Sequence, residues 1–247
     1  YSMSVGSPSL AEFQTVYIVS GIAGMLSLLI ALKLLTHSEK TEKVKTLKES
    51  YERFLSGIKE VASDKRVLIT SNMEGLQNMT VGALEAFLPI YAVKVAGLNE
   101  FQAGLLWGIQ VLATILSKPV MGKASDRYGR KPLITIGMLL CAASFGAVPL
   151  LKDFYLLMLA AIVFGFGEAF VTSSSAALVA DICKEKHFGT AMGTFGTIFD
   201  IGHASGPIVA GLLIARFDYF YSFWIMSAIL VLAVPVFVMN VKLKATN

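Results

Sequence analysis

A chain of 247 residues that is 55% hydrophobic and only 15% charged carries too little polar side chain to cover a water-soluble globule of its size. Its net charge of +4 is no argument for nucleic-acid binding, because the basic residues fall in short segments between apolar runs, where anionic lipid would attract them. The two cysteines, Cys141 within an apolar run and Cys183 in a basic loop, cannot form a disulfide framework.

In chain order, residues 1–13 form a short segment ahead of the first apolar run, at 14–36. The chain starts at Tyr1, and this run has neither a basic leader nor a cleavage pattern, so it reads as a span rather than a signal peptide, in a piece of something longer. Residues 37–66 are rich in Lys and Glu, and Val44, Leu47, Tyr51, Phe54, Ile58 and Val61 recur there at spacings of three and four. That pattern predicts an amphipathic helix on the membrane face, with a short coiled coil as the competing reading. Six further runs follow, at 67–94, 101–121, 132–150, 154–179, 189–214 and 220–241, each near or above the roughly 20 residues a spanning helix needs. Asn99 with Gln102 marks a helix start, Pro132 suits a first helical position, and Gly122 to Lys131 reads as a short basic turn bracketed by glycines. The expectation is an all-α integral membrane protein of seven spans. With residues 1–13 outside, 18 of the 21 Lys and Arg fall on the inner side, which places the loops at 37–66, 122–131 and 181–188 and the tail at 242–247 in the cytoplasm.

A charge at mid-bilayer costs roughly 2.5 to 3.5 kcal/mol on insertion scales, so polar residues inside the spans need a reason. The second span carries Glu74, Gln77, Asn78 and Glu85 along one stripe, the third carries Gln110, the fifth Glu168 with Thr172 and Ser175, and the sixth Asp200 and His203. The first, fourth and seventh have no charged residue in their central parts. Each polar group taken alone could serve helix association, and Asp200 with His203 could be a local pair. Glu85, Glu168 and Asp200, on three helices, together with His203 make a protonatable set suited to ion coupling.

The segment Gly122, Asp126, Arg127, Gly129, Arg130, Lys131 matches the G-x-x-x-D-R-x-G-R-K signature of the major facilitator superfamily at every specified position, with Ala124 where leucine is more usual. The chain therefore resembles the carboxyl-terminal half of such a transporter: a span equivalent to helix six, a cytoplasmic linker at 37–66, and a six-helix bundle at 67–241. The resemblance implies that the helices bearing Glu74, Glu85, Glu168, Asp200 and His203 face the cavity or the other half. It also implies a switching network for Asp126, Arg127 and Arg130, with Asp181 as a partner, while Lys118, Lys123 and Lys131 serve as positive anchors. Gly202, Gly206, Pro207 and Gly211 are similar to the glycine-proline motif of proton-driven antiporters. They depart from it in helix and in lacking paired glycines, and close helix packing is the favoured reading.

The resemblance implies secondary transport of a small molecule by alternating access between this half and an amino-terminal half, in the plasma membrane and with proton coupling. It leans toward drug or metabolite efflux. Uptake of a sugar or organic acid, or a non-transporting scaffold or sensor, are the alternatives. A seven-span receptor is a rival suggested by Asp126, Arg127 and Tyr128, but the last span has no N-P-x-x-Y sequence and no mid-span lysine. No metal-ligand cluster and no nucleophile with a nearby base point to an enzyme or a cofactor.

Overall fold

The computed structural model describes residues 10–35, 64–183 and 188–241. The predicted segments at 37–63 and 242–247 lie outside them. The chain divides into two units, residues 1–50 and 51–247. The first contains helix α1, Leu10–Leu35, whose side chains from Tyr17 to Lys33 are apolar apart from its ends and a few small polar groups, and are exposed.

The second unit is a bundle of α2 (Lys65–Lys94), α3 (Glu100–Tyr128), α4 (Arg130–Ala147), α5 (Phe154–Ile182) and α6 (Phe188–Asn240), with a 3₁₀ turn at Val148–Leu150. Local chemistry sets the ends. Asp64 caps α2 by accepting from Arg66 N at 2.9 Å, and Asp153 caps α5 by accepting from Tyr155 N and Leu156 N. At the start of α3, Asn99 Oδ1 accepts from Gln102 N at 2.8 Å and Gln102 Oε1 accepts from Asn99 N at 3.1 Å, a reciprocal capping box.

By length and composition α3, α4 with its 3₁₀ turn, α5 and α6 are apolar enough to cross a membrane. The 30-residue α2 falls short in hydropathy because it carries Thr70, Ser71, Glu74, Gln77, Asn78 and Thr80, all of which are buried inside the bundle. The 53 residues of α6 are long enough for two crossings. Asp218, at φ 70° and ψ 179°, breaks α6 into arms covering 188–217 and 219–240.

Three sequence expectations are corrected. Gly122 to Tyr128 are helical, the end of α3, so the basic segment turns only at Gly129, whose φ of 93° is open to glycine. Pro132 is the third residue of α4 rather than the first. The expected gap at 215–219 shrinks to the single break at Asp218.

The core lies between α2, α4, α5 and the second arm of α6. Phe145 stacks on Phe223 with centroids 4.4 Å apart and tilts against Phe164 at 6.2 Å. Ile134, Met138, Leu84, Leu88, Leu230 and Phe237 are fully enclosed around them. Tyr91 OH donates to the Leu151 carbonyl at 3.0 Å, tying α2 to the turn before α5.

Candidate functional site

The polar side chains come together because glycines let particular helices approach. α2 packs most extensively on α6, and its glycine contacts are with the first arm. A Cβ on Gly202 would strike the backbone of Gly75, one on Gly206 the backbone of Met79 and Ala83, and one on Gly82 the backbone of His203 and Pro207 Cδ. The seam is therefore backbone against backbone, while Gly211 meets only the ring of Phe87, in ordinary contact. Gly165 does the same for α5 and α3, since its Cβ would meet the Gln110 carbonyl at 2.6 Å and Ala113 Cβ at 2.9 Å.

The α3–α5 approach assembles the first cluster. Gln110 Nε2 donates to Glu168 Oε2 at 2.6 Å and Thr114 Oγ1 donates to the same oxygen at 3.1 Å. Gln110 and Thr114 are buried and Glu168 is half-buried. Lys118, on the same helix as Gln110, is the lysine that acts on Glu168 electrostatically. Thr114 is absent from the sequence-predicted site. It was legible as the residue one helical turn beyond Gln110 on the same face.

The second cluster sits on α2. Glu74 is completely enclosed, with Asn78 Nδ2 donating to its Oε1 at 3.1 Å and to Gln77 Oε1 at 3.2 Å. Gln77 Nε2 in turn points at Cys141 Sγ, 3.8 Å away on α4. Thr172 and Ser175 face Glu74 from α5.

The third is a contact between an imidazole and a carboxylate across the glycine seam. His203 Nε2 lies 3.2 Å from Glu85 Oε2, with both side chains about half exposed. This corrects the local pairing of His203 with Asp200. Asp200 is exposed and has no ion pair among the described residues. Helical spacing brings residues 200 and 203 near one face, but the approach at Gly82 delivers His203 to α2 instead.

The basic segment forms a fourth site at the other end of α3 and α5. Arg130 pairs with Asp126 one turn earlier, and its Nε lies 3.1 Å from Asp181 Oδ2 at the end of α5. Its Nη1 also donates to Ser125 Oγ, a buried hydroxyl missed by sequence reading. Lys131 donates from Nζ to the Val238 carbonyl at 2.6 Å, near the end of α6, so it is more than a membrane anchor. Arg127 stands apart from the network, its guanidinium 5.4 Å from the Tyr128 ring centroid. Gly122 lies in the helix with open space around it.

A groove of about 520 Å³ lies away from all four sites, between α4 and the second arm of α6. Its lining is apolar but for Ser227, whose hydroxyl is committed to the Ala142 carbonyl at 2.6 Å. Among the described residues no group of three or more His, Cys, Asp or Glu side chains could hold a metal ion.

A family model described as Major Facilitator Superfamily matches residues 76–246. The chain is similar to the multi-drug resistance efflux pump PmrA of Streptococcus pneumoniae, 26% identical over 161 residues that cover 64% of this chain and 40% of that protein. It is 30% identical over 150 residues to the PmrA homolog of Lactococcus lactis, covering 60% and 37%. The quinolone resistance protein NorA of Staphylococcus aureus is 28% identical over 163 residues, covering 66% and 41%. The chain thus matches about two fifths of the length of these relatives. A crystal structure of tetrameric PepTSo2 superimposes with a TM-score of 0.58 at 16% identity, covering 70% of this chain and 39% of that one, a likeness of fold alone.

Proposed function

The chain belongs to the major facilitator superfamily, and from that premise we propose that it is the carboxyl-terminal half of a proton-coupled transporter that moves a small organic molecule by alternating access. The family and the apolar helices make it an integral, multi-pass membrane protein. On this reading residues 14–36 form the sixth helix of the whole, 37–66 the linker, and 67–241 the bundle that works against an amino-terminal half. The end bearing Lys65, Arg130 and Lys131 faces the cytoplasm, with the tail, at the plasma membrane.

The observation that carries the reading is Glu168. Its one oxygen takes two hydrogen bonds from Gln110 and Thr114 while the residue remains half open, which is how a group that must exchange a proton with a cavity is held. The Glu85–His203 pair across the α2–α6 seam is a second proton carrier that can respond to it. Asp200, exposed on the same arm of α6, faces the other half. The bonds from Arg130 to Asp126 and Asp181 form the breakable contact that holds one access state.

Drug or metabolite efflux is the favoured direction, supported by relatives named as multi-drug and quinolone-resistance proteins. The test uses the full-length protein in proteoliposomes, recording substrate-evoked proton flux across a compound panel that includes quinolones. Flux for one compound class that disappears in Glu168→Gln supports the proposal. Folded protein that moves no proton with any compound, or a Glu168→Gln variant with undiminished flux, overturns it.

A further inference from the structure

The groove between α4 and the second arm of α6 is made where small side chains face one another. Ala142, Gly146 and Ser227 form its floor: the Ser227 hydroxyl donates to the Ala142 carbonyl at 2.6 Å, and a Cβ on Gly146 would stand 3.0 Å from that hydroxyl oxygen. With Ser227 so engaged, the lining has no free polar side chain, and whatever fills the groove is apolar. Ala143 on α4 and Ala228 on α6 are exposed on its two sides. There is no charged residue from Pro132 to Ala147 or from Tyr219 to Asn240, so this face of the bundle meets the hydrocarbon of the membrane.

The two helices run antiparallel, since Lys131 meets Val238 and Phe145 meets Phe223. One end of the groove therefore lies toward Arg130 and Lys131, and the other at Leu150 and Trp224. Beyond Leu150 the chain reaches Lys152 in two residues, at most about 7 Å of backbone. Tyr91 OH donates to the Leu151 carbonyl between them and fixes that step, which keeps Lys152 at the mouth. Lys152 is exposed and has no ion pair among the described residues, while the neighbouring Asp153 carboxylate is taken up in capping α5. Trp224 is half exposed and stacks on Phe220 with centroids 5.3 Å apart, and Tyr221 and Tyr155 are exposed at the same end of the bundle. Such a group of Trp and Tyr marks the level of the lipid headgroups.

We propose that this groove is a binding site for one phospholipid, which lays an acyl chain between Ala143 and Ala228 and sets its phosphate on Lys152. Two kinds of apolar occupant exist in a membrane, a helix and a lipid chain, and volume and charge both favour the lipid. From Trp224 to Leu232 the groove is about 12 Å long at 1.5 Å per residue, and a helix of that length, about 10 Å across, takes up roughly twice its 520 Å³. A second copy of the chain, seated on the same face in the same orientation, would bring its own Lys152 to the level of the first, a like-charge contact. A phosphate brings the opposite charge to that place. A lipid chain lies in hydrocarbon whether bound or free, so the gain comes from packing against the alanines and from the phosphate contact. On the transport reading the phosphate belongs to the outer leaflet, but the site itself does not depend on that reading.

The test measures binding rather than flux. The full-length protein in detergent is titrated with dioleoylphosphatidylglycerol or with dioleoylglycerol, which has the same chains and no phosphate, and bound lipid is counted by native mass spectrometry while thermal unfolding is followed in parallel. Saturable binding of one phosphatidylglycerol per chain with a rise in Tm is expected, and binding of dioleoylglycerol about 10- to 100-fold weaker. Lys152→Gln should bring phosphatidylglycerol down to the dioleoylglycerol level. Ala228→Phe puts a ring into the groove and should abolish binding of both lipids; Ala143→Phe, on the opposite side, decides the matter if Ala228→Phe does not fold. Equal binding of the two lipids by the wild type, phosphatidylglycerol binding undiminished in any of the three variants, or a wild-type dimer that Ala228→Phe splits with lipid binding unchanged would each overturn the site. Those results would leave the proton-flux test of Glu168 standing.

Discussion

Gly206→Ala should destabilise the bundle sharply for the addition of one methyl group. Its Cβ would come within 2.7 Å of Ala83 N, about 0.7 Å inside the 3.4 Å of ordinary contact, and closer still to the Met79 carbonyl. Both neighbours are helix backbone and cannot swing aside, so the two helices must part along the seam. A gap of 0.5 to 1 Å forfeits about a quarter to a half of each dispersion contact across it. Overpacking of this kind costs about 1 to 3 kcal/mol, which corresponds to a fall in Tm of about 2 to 12 °C for a domain of this size. Gly193→Ala on the same helix is the control: nothing lies within 4 Å of its Cβ, and alanine's better helix propensity should leave stability unchanged or raised by up to about 1 kcal/mol. Thermal unfolding of the purified variants in detergent measures both. An unaltered Tm in Gly206→Ala, or an equal loss in Gly193→Ala, would refute the seam as the contact that sets the approach of α2 and α6.

Asp218→Gly should raise Tm, because φ 70° with ψ 179° is a region reserved for glycine and a side chain there costs of order 1 to 3 kcal/mol, while losing the Asp218 cap on Tyr221 N costs a few tenths; a lower Tm would show that the cap outweighs the strain. A double-mutant cycle between Arg130 and Asp181 should give a coupling below about 1 kcal/mol in thermal unfolding, since Asp181 is 58% exposed; a coupling of twice that would make the contact too firm to open and close. The hydrogen bond from Arg66 holds Asp64 below its ordinary value of 3.8. Its stabilisation is therefore complete above about pH 4 and is lost as pH falls through the lowered value. The Tm gap between wild type and Asp64→Asn should stay constant from neutral pH to about 4 and close below it; a gap that widens in acid would refute the assignment.

What could be read from the sequence was whatever short range decides. The capping box at Asn99 and Gln102 involves residues three apart, and the structure forms it. The all-α membrane fold follows from runs of apolar residues, with no knowledge of how they pack. The basic segment was read as a loop because glycine at 122 suggests a break, yet one glycine costs a helix only about 1 kcal/mol and α3 continues through it. Pairings between helices were beyond reach on residue spacing. Whether His203 meets Asp200 or Glu85 depends on the rotation of α6 against α2, and that rotation is fixed by four glycines far apart in sequence, Gly75, Gly82, Gly202 and Gly206. The Arg130–Asp181 contact was anticipated only through family resemblance, because nothing in residues 51 positions apart announces it.

Arg130 and Lys131 are consecutive, yet one grips the end of α5 and the other the end of α6. A single peptide unit thus clamps two separate helix ends, and the slack available to either is limited to the flexing of one side chain. If those ends spread, the two grips fail in an order set by their chemistry. The Arg130–Asp181 bond reaches a carboxylate that is largely exposed to solvent and yields under small load, whereas Arg130 keeps its contacts to Asp126 and Ser125 on its own side of the gap. Lys131 holds a carbonyl at a helix terminus, where the aligned peptide dipoles add to its attraction. Spreading would therefore proceed like a hinge with one pin removed: α5 swings free first, while α4 and α6 stay fastened and turn together.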